Sequence, residues 1–209
     1  MTTAFYVIEY QGGEKGCPIF LDGTESHDWE WEIYDPNPEK VLIKHDYSFS
    51  IADKDIDELE LDYAGSPSRF ASAEFLEVCN SVGALYRAVP VKLYLATGAE
   101  TRKKYFYFLT AQWESLLDES ASSYSLELSP DSKSPSVNKF YPGAHSYNWI
   151  EKFVLREGIE SDIFWCSEIM EHVCSQRFVN ESTRRKLKGV KFTALDDSFK
   201  YDPWGDLPK

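Results

Sequence analysis

The sequence predicts an α+β protein built mainly of antiparallel sheet with a few short helices. Three observations point there. Runs of aromatic and β-branched residues of strand length recur at residues 5–10, 86–95 and 105–109. Only two stretches, following Ser72 and Ser167, join a helix-capping residue to apolar positions at helical spacing. Glycine and proline clusters at residues 11–13, 16–18 and 35–38 punctuate the rest. With 209 residues, 43% of them hydrophobic and 15% aromatic, the chain has ample material for a packed core. We expect a single α+β domain over residues 1–209, with the Ser-, Pro- and Gly-rich loop 129–147 as the candidate subdomain boundary.

Taken in order, residues 5–10 (FYVIEY) read as the first strand and residues 18–22 as a second, shorter one. In residues 29–34 (WEWEIY) the first four positions alternate aromatic and acidic. That is the period of a half-buried strand, with Trp29 and Trp31 inward and Glu30 and Glu32 in solvent. Asp35-Pro-Asn-Pro38 is a turn, because proline fixes φ and constrains the residue before it. Asp53, Asp55 and Asp57 stand where the first, third and fifth ligands of a calcium loop would fall. Glu58, however, occupies the position that needs glycine for a sharp turn, and Ala64 the position of the bidentate glutamate. Residues 53–62 therefore read as a solvated acidic edge or loop.

A helix–strand cassette follows. Gly65-Ser-Pro-Ser68 turns the chain, and Ser72 N-caps a helix through Phe75, Leu76, Val78 and Cys79 that ends near Gly83. Residues 86–95 and 103–110 form a hairpin closed at Ala96-Thr97-Gly98. Pro90 argues for an edge or a bulge in the first strand, and residues 105–109 have the composition of a central one. A strand resumes over residues 149–157, and a second cassette opens with Ile163-Phe-Trp165. Ser167 caps its helix, whose apolar face is Ile169, Met170, Val173, Cys174 and Phe178. A further helical turn opens at Asn180, basic residues close it before Gly189, and a last strand follows. A spacing of 95 pairs Ser72 with Ser167, Phe75 with Met170, Val78 with Val173 and Cys79 with Cys174, a weak internal repeat.

Charge is more informative than motif. Residues 1–62 hold 16 Asp and Glu against 4 Lys and Arg, while the remaining residues are nearly balanced. A net charge of −13 disfavours nucleic acid and anionic membrane as partners and favours a basic protein. No apolar run reaches the roughly 20 residues of a membrane span, and the N-terminus lacks a basic region followed by an apolar one, so a cytoplasmic location is expected. Cys17, Cys79, Cys166 and Cys174 lack metal-site spacing and read as free buried thiols. On a helix, His172 and Cys174 would sit about 200° apart, a poor zinc site. No nucleophile elbow, zinc-protease motif, phosphate loop or dinucleotide fingerprint occurs, so no catalytic residue, metal or cofactor is assigned.

Several segments resemble immunity proteins of bacterial polymorphic-toxin systems, including a once-uncharacterised group of about this size. They are Gly65-Ser-Pro67 with Phe70-Ala-Ser72 and its helix, Ala88-Val-Pro-Val91, Tyr105-Phe-Tyr-Phe-Leu109 and Leu117-Asp-Glu-Ser120. The last are Ile163-Phe-Trp-Cys-Ser167 with its helix and Leu187-Lys-Gly-Val-Lys-Phe192, so that the resemblance spans residues 64–195. It implies a non-enzymatic α+β protein that binds and blocks one cognate toxin, and it transfers neither catalytic residues nor a contact surface. The contact surface is instead expected from charge segregation, at Glu30, Glu32, Asp53, Asp55, Asp57, Glu58 and Glu60, facing a basic toxin surface. The competing expectations are an enzyme whose His27 or His145 meets carboxylates and a cysteine only in space, and an adaptor domain for another partner.

Overall fold

The computed structural model describes residues 4–32, 35, 37–64, 69–138, 141, 143–205 and 207. Its N-terminal elements are β1 (Phe5–Tyr10), β2 (Gly23–Glu25), β3 (Tyr47–Ile51), β4 (Tyr63–Ala64) and β5 (Phe70–Ser72), followed by α1 (Ala73–Val82). The middle of the chain gives β6 (Tyr86–Tyr94), β7 (Tyr105–Thr110), β8 (Trp113–Glu114), β9 (Ser123–Leu126) and β10 (Tyr147–Lys152). Last come β11 (Ile163–Cys166), β12 (Glu171–Ser175), α2 (Gln176–Arg185) and β13 (Val190–Ala194). The fold is α+β and dominated by sheet. A six-stranded sheet has the order β2-β3-β6-β7-β5-β4, a five-stranded sheet the order β13-β1-β12-β11-β8, and β9 and β10 pair separately. All pairs are antiparallel except β3 with β6 and β8 with β11. Among the described residues no helix is long and apolar enough to cross a membrane.

The two large sheets contain the same unit twice. In the six-stranded sheet β6-β7-β5-β4 carry α1 between β5 and β6; in the other, β13-β1-β12-β11 carry α2 between β12 and β13. The registers agree as well as the orders. Ser72 lies opposite Tyr105 as Ser175 lies opposite Phe5, and Ala88 opposite Phe108 as Phe192 lies opposite Ile8. The strand equivalent to β7 is thus β1, taken from the far N-terminus. Both helices start alike: the Ser72 hydroxyl accepts from Phe75 N (3.1 Å) and the Ser175 hydroxyl from Phe178 N (3.3 Å), each satisfying an otherwise orphaned donor of the first turn.

Strand alternation then sorts the side chains into cores. In β1, Phe5 and Val7 face one cluster, and Tyr6 and Ile8 the other. In β7, Tyr105, Tyr107 and Leu109 face outward from the helices, and Phe106 and Phe108 toward them. The inner faces of both sheets and both helices share one core, in which the rings of Phe75 and Phe178 meet edge to face with centroids 5.5 Å apart. The outer face of the six-stranded sheet is covered by N-terminal chain through Cys17, Trp31, Ile56, Leu59 and Leu61. The outer face of the other is covered by Leu116, Leu117, Tyr147, Ile150, Phe153 and Leu195.

Several expectations are corrected. The second cassette has no helix at Ser167: residues 167–170 turn, β12 follows, and α2 starts after Ser175, with Asn180 inside it rather than at its start. Met170 has φ 54°, outside the helical region, so no helix runs through it. A short buried run reads alike as strand or helix, and β12, flanked by strands on both sides, buries both faces. The repeat spacing is therefore 103 at the caps, pairing Ser72 with Ser175, rather than 95. On a strand, His172 and Cys174 also share a face instead of opposing each other. Residues 18–22 are not a strand; the short strand is β2. Residues 29–32 are irregular, and Ile33, Tyr34 and Pro36 lie outside the described residues, as do residues 65–68 of the expected turn and Lys139, Phe140 and Pro142 of the loop 129–147. Pro90 is compatible with an internal strand because β3 pairs only with Val91–Tyr94, leaving the Pro90 nitrogen beyond the ladder. The strand expected over 149–157 is β10, which ends at Lys152. Elsewhere, β1, α1 between Ser72 and Gly83, the β6–β7 hairpin and interior β7 lie where the sequence placed them.

Candidate functional site

An open groove of about 830 Å³ lies where the N-terminal turn, the acidic loop after β3 and the β6–β7 hairpin tip meet. Ile56 and Leu59, buried in the core beneath, form its floor, and Leu95, Ile19 and Phe20 add apolar surface. Its rim carries Glu14, Asp53, Asp55, Asp57, Glu58 and Glu100 against two cations, Lys15 and Arg102. Both cations lie 3.7 Å from Glu58. Among the described residues, the other five carboxylates have no ion-pair partner. Asp53 shapes its own loop, its carboxylate accepting from Asp55 N at 2.8 Å.

The expected contact residues divide. Asp53, Asp55, Asp57 and Glu58 come together on this groove. Glu60 sits beside it, 3.5 Å from the Lys188 ammonium, with its backbone N–H bonded to Gly16 O at 2.7 Å. A side chain at Gly16 would collide with Glu60, the Cβ falling 2.6 Å from Glu60 Cβ, so glycine is what lets turn and loop touch there. Glu30 is not the solvated residue expected. Its carboxylate accepts from Lys44 N (2.8 Å), His45 N (3.2 Å) and the Tyr47 hydroxyl (3.1 Å), and the bond from Lys44 N leads in holding it below the usual carboxylate range. Glu32 is exposed and does not line the groove. Glu14 and Glu100 join the acidic rim unforeseen, since only the fold brings residues 14, 57 and 100 to one place.

Other chemistry-bearing groups lie apart from the groove. Glu119 accepts from His145 Nδ1 (2.9 Å) and from the Tyr147 hydroxyl (2.7 Å), contacts that hold its carboxyl below the usual range. His27 stacks on His45, ring centroids 4.4 Å apart. All four cysteines are free and buried. Among the described residues no group of three or more His, Cys, Asp or Glu is arranged to hold a metal ion. Buried Glu168 ties the β11–β12 turn to residues 115–117 by accepting from the Ser115 hydroxyl (2.6 Å) and Leu117 N (3.0 Å). Comparison with known proteins finds no matching family model and no matching curated protein.

Proposed function

We propose that this chain is a non-enzymatic immunity protein that binds and neutralises a cognate bacterial toxin, in the cytoplasm, through the acidic groove. The observation that carries the binding reading is the meeting of five carboxylates without ion-pair partners and an exposed apolar pair on one open groove. Such a surface suits a basic protein face, attracting it at long range and offering apolar area at contact. The specific assignment to toxin neutralisation rests on the resemblance of residues 64–195.

Two experiments test the two parts. Co-expression with the product of the neighbouring gene should give a complex and restore growth if that product is toxic; a harmless neighbour that does not bind ends the immunity reading. Changing Asp55, Asp57 and Glu100 together to Lys should slow association with that toxin by about tenfold or more at low salt. An unchanged rate would remove the electrostatic part. The runner-up is an enzyme using Glu119 and His145, favoured by their direct contact. Turnover abolished by His145→Gln would establish it.

A further inference from the structure

The apolar pair beside the acids is held rather than merely exposed. β1 leads into a tight turn in which Gly13 N donates to Cys17 O (2.8 Å) and Cys17 N to Glu14 O (2.9 Å). Cys17 is buried beneath it, and the Tyr10 hydroxyl donates to the Pro18 carbonyl. Gly12 packs so closely that a Cβ there would lie 2.6 Å from Pro18 O and 2.7 Å from Ile19 Cα. Downstream, Leu21 packs on the core and Asp22 O accepts from Ala52 N at 3.0 Å. The backbone is thus fixed on both sides of Ile19 and Phe20, residues that are 69% and 81% exposed. Among the described residues these are the only two consecutive large hydrophobics left in solvent. Scattered exposed apolar residues need no explanation, but a pair displayed on a pinned segment beside a groove marks a contact surface.

We infer that the groove takes a cationic segment of the partner protein in which an apolar side chain is flanked by lysine or arginine, with Phe20 and Ile19 making the apolar contact. This deepens the partner-binding reading and rests on it. The chemistry selects the occupant by elimination. A neutral apolar segment would desolvate Asp55, Asp57, Glu14 and Glu100 without giving them partners, and an anionic one would be repelled. A polycation without apolar side chains would leave Phe20 and Ile19 wet. Only a segment carrying both properties satisfies the acidic rim and the apolar pair together. The groove volume of about 830 Å³ accommodates a few side chains of a loop or strand.

The test uses fluorescently labelled twelve-residue peptides of alternating Lys and Leu, Lys and Ser, or Glu and Leu, titrated with the full chain. The Lys/Leu peptide should bind saturably, the Lys/Ser peptide about tenfold more weakly, and the Glu/Leu peptide not at all. Phe20→Ala combined with Ile19→Ala should weaken Lys/Leu binding about tenfold or more while leaving Lys/Ser binding unchanged, as expected when an apolar contact residue is truncated. Asp55→Lys with Asp57→Lys should weaken both. All four positions are exposed, so the variants should keep the circular dichroism of the parent chain. Equal affinity for the Lys/Leu and Lys/Ser peptides, or unaltered Lys/Leu binding by the Phe20 and Ile19 variant, overturns the inference. Full neutralisation of the cognate toxin by both variants would also overturn it while leaving the immunity reading intact. The expected peptide pattern with a non-toxic, non-binding neighbour would do the reverse.

Discussion

The two repeated units differ chiefly in what lies over them and in how each buries its capping aspartate. Asp62 precedes β4, and one of its carboxylate oxygens accepts from the Ser72 hydroxyl at 2.6 Å; Asp162 precedes β11 and takes the same bond from the Ser175 hydroxyl. The backbone repeats the contact, with Ser72 N bonded to Asp62 O and Ser175 N to Asp162 O, both at 2.9 Å. Each aspartate also reaches the opposite unit. Asp62 accepts from Lys188 N (2.6 Å), in the loop before β13. Asp162 holds Arg177 at 2.8 Å, and that guanidinium donates to Ser81 O (3.0 Å) at the end of α1. The two units thus cap their own helices and fasten each other with one device used twice. The covers share no such correspondence. Cys17, Trp31, Ile56, Leu59 and Leu61 of the N-terminal chain lie over one sheet, and Leu116, Leu117, Tyr147, Ile150, Phe153 and Leu195 over the other; the acidic groove belongs mostly to the first cover, with Glu100 and Arg102 added by the β6–β7 hairpin. The repeated part makes the frame, and the unrepeated part carries most of the candidate binding surface.

If the frame is symmetric in pattern, it is not symmetric in energy. Asp62 is 2% exposed and pairs with the largely buried Lys103 ammonium at 2.5 Å, whereas Asp162 pairs with an Arg177 side chain that is 60% exposed. Asp62→Asn should therefore cost about 3 kcal/mol in urea unfolding, because it strands Lys103 and disturbs two further donors. Asp162→Asn should cost about 1 kcal/mol, since water can solvate the released guanidinium. Equal costs would break the comparison and show that burial of the aspartate does not set its weight.

The joint between the units supplies a second test. His172 on β12 is 1% exposed, its Nδ1 lies 2.8 Å from the Tyr63 hydroxyl on β4, and its Nε2 has no hydrogen-bond partner among the described residues. Burial, then the nearby Arg69 cation, pushes its pKa well below the ordinary histidine value. The unfolded chain takes up a proton near pH 6.5 that the folded chain refuses. This contribution to stability is therefore complete above that pH and declines as pH falls, by about 1.4 kcal/mol per unit. Unfolding free energy should drop as pH falls below about 6.5, and His172→Gln should flatten the slope there. A slope unchanged in the variant would assign the acid sensitivity to another group.

Which parts of this were legible in the sequence follows from what each signal requires. β1, α1 and the β6–β7 hairpin are written locally, in aromatic alternation, a serine cap and glycine stops, and the structure has them at the expected residues. The true repeat was hidden because its two copies differ where alignment looks first. Asp62 precedes Ser72 by ten residues and Asp162 precedes Ser175 by thirteen, and the second copy borrows β1 from the other end of the chain. Charge segregation found four of the groove carboxylates but could not exclude Glu30, since only the fold brings Lys44 N, His45 N and the Tyr47 hydroxyl onto it. Ile19 and Phe20 looked like strand residues; what distinguishes them is that nothing covers them.

The caps give the finest comparison. Ser72→Ala and Ser175→Ala each remove the bond to the third helical N–H, a loss of about 1 kcal/mol. Ser72→Ala also takes a donor from buried Asp62, adding about 1 kcal/mol. Asp162 loses the same donor in Ser175→Ala, but its side chain is 14% exposed against 3% for Asp62, so water can replace part of the bond and the second term should be smaller there. The two variants should then differ by up to about 1 kcal/mol in thermal or urea unfolding. Combining Ser72→Ala with Asp62→Asn should cost less than the sum of the separate changes, because the second removes the buried charge that the first left with one donor fewer. Strict additivity would mean that cap and carboxylate act independently, and the coupling inferred from the 2.6 Å contact would be wrong.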